Sequence, residues 1–201
     1  MSELAVLQAV RLKGRVNQSD LAATLGQDPV DVAQTVNALV DSGLLVAGKT
    51  VKISPDGRAR LAQLLAGERD GIDTATIGAA YEKFRAVNGE FKALVSDWQI
   101  KDGQPNAHDD SEYDAAVLRR LDGVHERVVP ILHSVSTLLP RLRRYAARLD
   151  NARARLKEGD VAWLTRPVID SYHTVWFELH EELILAAGLT RDAEAAAGHA
   201  Q

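Results

Sequence analysis

Asp28-Pro29-Val30-Asp31-Val32-Ala33-Gln34-Thr35-Val36-Asn37-Ala38-Leu39-Val40, residues 28–40, opens on a carboxylate and a proline and then places its apolar groups at helical spacing. An Asp accepts a hydrogen bond from an orphan N–H of the first turn, and Pro at the first helical position loses no bond. Val32, Ala33, Val36, Leu39 and Val40 follow at steps of one, three, three and one, which predicts a helix with one buried face. Ser42-Gly43 stops it. Upstream, Asn17-Gln18-Ser19-Asp20 offers caps for a short helix, Leu21 to Leu25, closed by Gly26. Leu4, Val6, Leu7, Val10 and Leu12 predict another over residues 3–13, ending at Gly14. Downstream, Leu44-Leu45-Val46 and Thr50-Val51-Lys52-Ile53 flank Ala47-Gly48-Lys49, a β-hairpin pattern with glycine in the turn. Ser54-Pro55 then caps and opens a fourth helix running through Leu61 and Leu64-Leu65.

Three short helices, a two-stranded wing and a closing helix resemble the winged helix-turn-helix of MarR-like regulators. Gly26, "DSGLLV" and "SPDGRARL" carry the resemblance, which covers roughly residues 3–68. It implies a winged-helix domain over 1–70, with Ala66-Gly67-Glu68-Arg69-Asp70-Gly71 as the linker. The charges do not suit DNA. Residues 1–70 hold eight basic and eight acidic side chains, and no Lys or Arg lies between Val16 and Gly48. Affinity for DNA comes mainly from cations neutralising phosphates, and the recognition helix carries Asp28 and Asp31 instead. Only Gln34, Thr35 and Asn37 can read a base there, with Lys49 and Lys52 on the wing. Nucleic acid is therefore not the expected partner.

The rest of the chain predicts an antiparallel helical bundle over 71–190 and a flexible Ala-rich tail over 191–201. Ile77, Tyr81, Phe84, Val87, Phe91, Leu94 and Trp98 run at steps of three and four, interrupted by Gly89. A polar loop, Lys101 to Asp110, leads to a helix that Asp110 or Ser111 caps and Pro130 is expected to kink or end. Arg141 to Lys157 reads as a basic helix whose cations form a solvated face, stopped by Gly159-Asp160. The last long helix is expected from Ile169 to Ala187.

That helix sets Ile169, Tyr172, His173, Trp176, Leu179, His180 and Leu183 on one face. His173 and His180 read either as satisfied core histidines or as groups lining a pocket with Trp176 and an opposing Trp98. Two helical turns, about 10.5 Å, separate them, too far for one metal ion, and no metal is expected. Arg166, before Pro167 and the helix start, is either a surface arginine or an anion-binding group. His108 in the polar loop is either plain loop or part of a loop, rich in His and Asp beside Trp98, that closes over a pocket.

Composition narrows the class. Of 201 residues, 46% are hydrophobic and 26% charged, as in globular chains. No apolar run reaches the roughly 18–20 residues of a membrane span, and Met1-Ser2-Glu3-Leu4 does not open a signal peptide, so a cytoplasmic protein without a membrane partner is expected. The absence of Cys excludes disulfides, thiolate metal sites and a Cys nucleophile. No phosphate-cradling Gly-rich loop occurs, so no cofactor is expected in this chain.

"WQIKDG", "NAHDDSEYDAAVLRRL" and "LTRPVIDSYHTVWFELHEELI" resemble the helical module that accompanies phosphoenolpyruvate synthase and pyruvate phosphate dikinase-like enzymes, over roughly residues 73–187. The resemblance implies a small, acceptor-binding subunit of a two-component dikinase. A larger partner kinase subunit would bring the ATP-grasp and phosphohistidine domains, with ATP and Mg²⁺, and a small hydroxyl compound, aromatic or not, would be phosphorylated. On that reading His173 or His180 is the base, Arg166 holds the phosphoryl group, and Asp170 joins the catalytic set. Trp98, His108, Tyr172 and Trp176 line the substrate. The other reading is a MarR-like, ligand-responsive DNA-binding regulator.

Overall fold

The protein, described over residues 2–199 in a computed structural model, is mainly helical and divides into two units between Ile72 and Asp73. The first holds α1 (Glu3–Lys13), α2 (Gln18–Leu25), α3 (Pro29–Asp41), β1 (Leu45–Val46), β2 (Lys52–Ile53) and α4 (Pro55–Asp70). Caps read from the sequence are in place: the Asn17 side chain accepts from the Asp20 N–H at 2.8 Å, Asp28 from Val30 at 2.8 Å and Ser54 from Gly57 at 2.9 Å. The core of this unit gathers Val6, Leu7, Val10, Leu21, Val32 and Val36, all fully buried. Each such side chain contributes about 1.5–3 kcal/mol. β1 and β2 pair antiparallel with Leu45 opposite Ile53, and a bridge from Val16 to Val51 ties the hairpin back to the chain after α1.

Gly57 in "SPDGRARL" has a steric cause. A Cβ there would lie 2.0 Å from the Leu44 carbonyl oxygen, because the start of α4 presses against the backbone leading into β1. The Ser54 hydroxyl closes the same joint by donating to the Gly43 carbonyl at 2.7 Å. One expectation is corrected here: the linker read over 66–71 is helical as far as Asp70, because nothing crowds or breaks α4 at Gly67.

The second unit holds α5 (Thr74–Gln99), a tight hairpin of β3 (Ile100–Lys101) and β4 (Gln104–Pro105), α6 (Ser111–Leu138), a 3₁₀ turn (Pro140–Arg143), α7 (Arg144–Lys157), α8 (Ala162–Thr165), α9 (Tyr172–Ala186) and α10 (Arg191–Ala196). Asp97 pairs with Arg120 and Glu90 with Arg127, so α5 and α6 run antiparallel. The pairs Asp122–Arg153 and His125–Asp150 reverse α6 against α7. Tyr145–Glu182 with Arg148–Glu178 reverses α7 against α9. Asn88–Trp176 and Tyr81–His180 reverse α9 against α5.

Several details depart from the sequence reading. Pro130 does not end its helix but lies inside α6. Around Pro130 the buried Val128, Ile131 and Leu132 hold α6 together, and that packing outweighs the roughly 3 kcal/mol a helical proline costs. The polar loop is shortened by the turn at Asp102 and Gly103, both at positive φ, as two-residue hairpins require. The last helix begins at Tyr172, capped by Ser171, rather than at Ile169. The basic run is not one solvated face: Arg143, Arg155 and Lys157 are exposed, but Arg148 is buried and Arg141 and Arg144 turn inward onto Glu182. Within the tail expected to be flexible, α10 forms and buries Glu194; Ala200 and Gln201 lie outside the described residues. Among the described residues no helix is long and apolar enough to cross a membrane.

Candidate functional site

α9 is apolar on average yet buries four ionisable side chains, Glu178, His180, Glu181 and Glu182. Each finds a partner on a neighbouring element. Glu182, fully buried, accepts from Arg141 and, at 3.2 Å, from the Tyr145 hydroxyl. Glu178 pairs with Arg148 at 2.7 Å. Glu181 pairs with Arg191. A charge taken out of water is tolerated only when paired and hydrogen-bonded, which explains why α7 and α9 exchange so many ion pairs.

His180 is different, because its partner is neutral. Its Nε2 lies 3.1 Å from the Tyr81 hydroxyl on α5, and its ring sits 5.3 Å from Phe84 and 5.9 Å from Tyr81. Burial pushes its pKa from 6.5 down to about 4, so the imidazole is neutral near pH 7. The Tyr81 hydroxyl donates to Glu194 of α10 at 2.7 Å. Its single proton is thereby committed, so His180 donates to Tyr81 from Nε2 and leaves Nδ1 as its acceptor nitrogen. Arg85 reaches the same Glu194 oxygen at 3.7 Å, and its buried Nε makes no hydrogen bond. Trp176 stacks on Phe84 at 5.0 Å and donates from its indole N–H to Asn88 at 2.8 Å.

Of the residues singled out from sequence, the structure brings Trp176 and His180 together on Phe84 and stacks Tyr172 on Trp176 at 6.0 Å, and it scatters the others. Trp176 lies at the level of Phe84 and Phe91, which it touches on both sides; Trp98 stands seven residues beyond Phe91, about 10 Å along α5, and does not oppose it. Trp98 instead stacks on His108 at 4.4 Å, and His108 is fixed by Asp114 at 2.9 Å. That contact lies at the hairpin end of α5, away from Trp176. His173 is exposed beside Phe91, because the buried face of α9 is set by Tyr172, Trp176 and His180. Tyr172 is fully buried, its hydroxyl 3.1 Å from Nδ1 of His125. Asp170 accepts both guanidinium bonds of Arg148, at 2.8 and 2.9 Å, and so acts as an anchor for the chain entering α9. Arg166 is exposed after α8, next to Val168, which is 95% exposed with φ of +66°. In the first unit Gln34, Asn37, Lys49 and Lys52 are exposed, whereas Thr35 turns its hydroxyl back to the Asp31 carbonyl at 2.9 Å.

Sequence reasoning missed Tyr81, Arg85, Asn88 and Glu194 as polar members of the His180 site. In the sequence Tyr81 is one of the apolar stripe and Glu194 part of the Ala-rich tail. The available signal was the helical step: Tyr81, Arg85 and Asn88 follow at four and three, one polar line beside the apolar stripe. His125 was also missed; it is buried between Tyr172 and Asp150, and burial lowers its pKa. Among the described residues no group of three His, Asp or Glu side chains is arranged to hold a metal ion. The chain matches no family model, no curated protein and no solved structure.

Proposed function

We propose that this chain is the acceptor-binding component of a two-part phosphotransfer system, with the nucleotide-handling machinery on a larger partner subunit. The observation that carries the reading is the neutral, buried His180 beside Tyr81 and the Phe84–Trp176 stack. A neutral imidazole next to aromatic walls suits a small hydroxyl compound: the imidazole takes the hydroxyl proton as the oxygen attacks the phosphoryl group. The new O–P bond forms as the N–P bond to the partner's phosphohistidine breaks. The resemblance of residues 73–187 to the dikinase-associated module supports the same assignment, with His180 rather than His173 in the role of base.

The first unit fits this reading as a winged-helix head that contacts protein. Its α3 turns Val30, Asp31, Gln34, Asn37 and Asp41 to solvent, a face with two carboxylates, one 63%-exposed valine and no cation. One observation favours a DNA-binding regulator, namely that Lys49 and Lys52 lie exposed on the hairpin. Two lysines supply far fewer phosphate contacts than the six to ten of a typical specific binder.

The test is reconstitution with the larger subunit that co-purifies with the chain from its source cells. Phosphorylated acceptor is expected to form from ATP only when both are present. His180→Gln is expected to lower turnover by at least about 10²-fold, the low end for a general base, and His173→Gln to leave it unchanged. Normal turnover by His180→Gln removes the histidine from the chemistry. Tight, sequence-selective binding to the DNA upstream of its own gene at about 150 mM salt makes the chain a regulator instead.

A further inference from the structure

We infer that the place filled by the Glu194 carboxylate is a binding position for a small carboxylate ligand, and that α10 is its resident intramolecular occupant. This rests on the proposed acceptor site, which it deepens: the hydroxyl acceptor carries a carboxylate as well, and the carboxylate is what this position holds. α10 has six residues and buries only one of them, the charged Glu194. No apolar side chain larger than alanine belongs to it, so hydrophobic burial does not hold it in place. What holds it is polar: Tyr81 to Glu194, Arg191 to Glu181, the Arg191 guanidinium 4.5 Å over Phe177, and the Asn88 amide donating to the His199 carbonyl at 3.1 Å. Each of these contacts nets about 0.5–3 kcal/mol, so a ligand that makes the same ones competes with the element on equal terms.

Beneath it the donors converge on one spot. The Tyr81 hydroxyl donates to a single Glu194 oxygen, and the buried Arg85 Nε–H, without a hydrogen bond of its own, stands 3.7 Å from that same oxygen. One donor and one guanidinium charge beside the same point select an acceptor-only, anionic group, and the resident example is a carboxylate. Around them stand the rings of Tyr81, Phe84 and His180. A ligand carboxylate that displaces Glu194 inherits the Tyr81 hydrogen bond and can close the last distance to Arg85, which Glu194 leaves long.

Benzoate is the probe, with inorganic phosphate and benzyl alcohol as comparison arms, each titrated calorimetrically into the full-length chain. Glu194→Ala is expected to bind benzoate at least about tenfold more tightly than wild type, the worth of one charge-assisted hydrogen bond no longer competing. Adding Arg85→Gln or Tyr81→Phe is expected to cancel the gain, and benzyl alcohol is expected to show none. Glu194→Gln, which keeps the shape of the tail, is expected to give a smaller gain in the same direction and guards against a fold defect in the alanine variant. Equal benzoate affinity in wild type and both Glu194 variants overturns the proposal. A gain for phosphate in place of benzoate overturns the carboxylate assignment. These measurements involve no partner subunit and no turnover, so a failure here is distinct from a failure of the phosphotransfer reading.

Discussion

Acid titration of folding stability isolates His180. Its imidazole is 6% exposed, and its pKa falls from 6.5 in the unfolded chain to about 4 in the folded one. Above pH 6.5 both states hold it neutral and its contribution is fully present. As the pH drops below 6.5 the unfolded chain takes up a proton that the folded chain refuses, so stability declines with falling pH until about 4. The shift is near two and a half units, and at about 1.4 kcal/mol per unit the loss approaches roughly 3 kcal/mol. Glu181 and Glu194 favour the charged form and Arg191 and Lys92 oppose it, but burial dominates. His125 and His173 also sit below the ordinary histidine value and slope the same way, so wild type alone cannot assign the effect. Urea denaturation of wild type and His180→Gln between pH 7.5 and 4.5 separates them. At pH 7.5 the variant is expected to be less stable by about 1 kcal/mol, the value of one hydrogen bond. Toward pH 4.5 that deficit is expected to close and reverse, a relative change of roughly 2–3 kcal/mol. Parallel curves, or a deficit that grows with acid, refute the reasoning, because either means the folded protein accepts a proton at His180 as readily as the unfolded chain.

Two further outcomes test the packing. Gly57→Ala is expected to destabilise the chain by about 2–3 kcal/mol in urea melts, since its methyl meets the Leu44 carbonyl at 2.0 Å; Gly67→Ala in the same helix, with nothing within 4 Å, is expected to gain up to about 1 kcal/mol, and effects of the same sign refute the contrast. Glu182→Gln is expected to cost about 3–5 kcal/mol, because it leaves Arg141 and Arg144 facing a neutral group in a fully buried position, and a melting temperature within a degree of wild type means that water already reaches the cluster.

The elements were legible wherever one local rule decided them. Asp28-Pro29, Asn17 and Ser54-Pro55 are caps whose partners lie two or three residues away, so the sequence alone locates the helix starts. Pro130 misled as a helix end because its penalty is local and fixed, whereas the packing that overrides it comes from neighbouring helices. The candidate site was half legible for a related reason. Trp176 and His180 are one turn apart on a single helix, so periodicity alone puts them on one face.

Tyr81, Arg85 and Glu194 could not be joined to that face in the same way. Glu194 meets Tyr81 across 113 positions of chain, and Arg85 meets it across 109. No repeat or spacing encodes a contact at that distance; the encounter is set by how α5 and α9 align and by where the chain after α9 returns. The ionisable groups on α9 make the same point. In the sequence Glu178, Glu181 and Glu182 only flank the face of Trp176 and His180, and an isolated carboxylate belongs in water. They are buried because Arg148, Arg191 and Arg141 stand opposite, and of these Arg141 and Arg148 read from sequence as a solvated face for the mirror-image reason. Neither half of a buried ion pair signals its burial alone, so a sequence that places an acidic helix and a basic helix in one domain is better read as a candidate for pairing than as two separate surfaces.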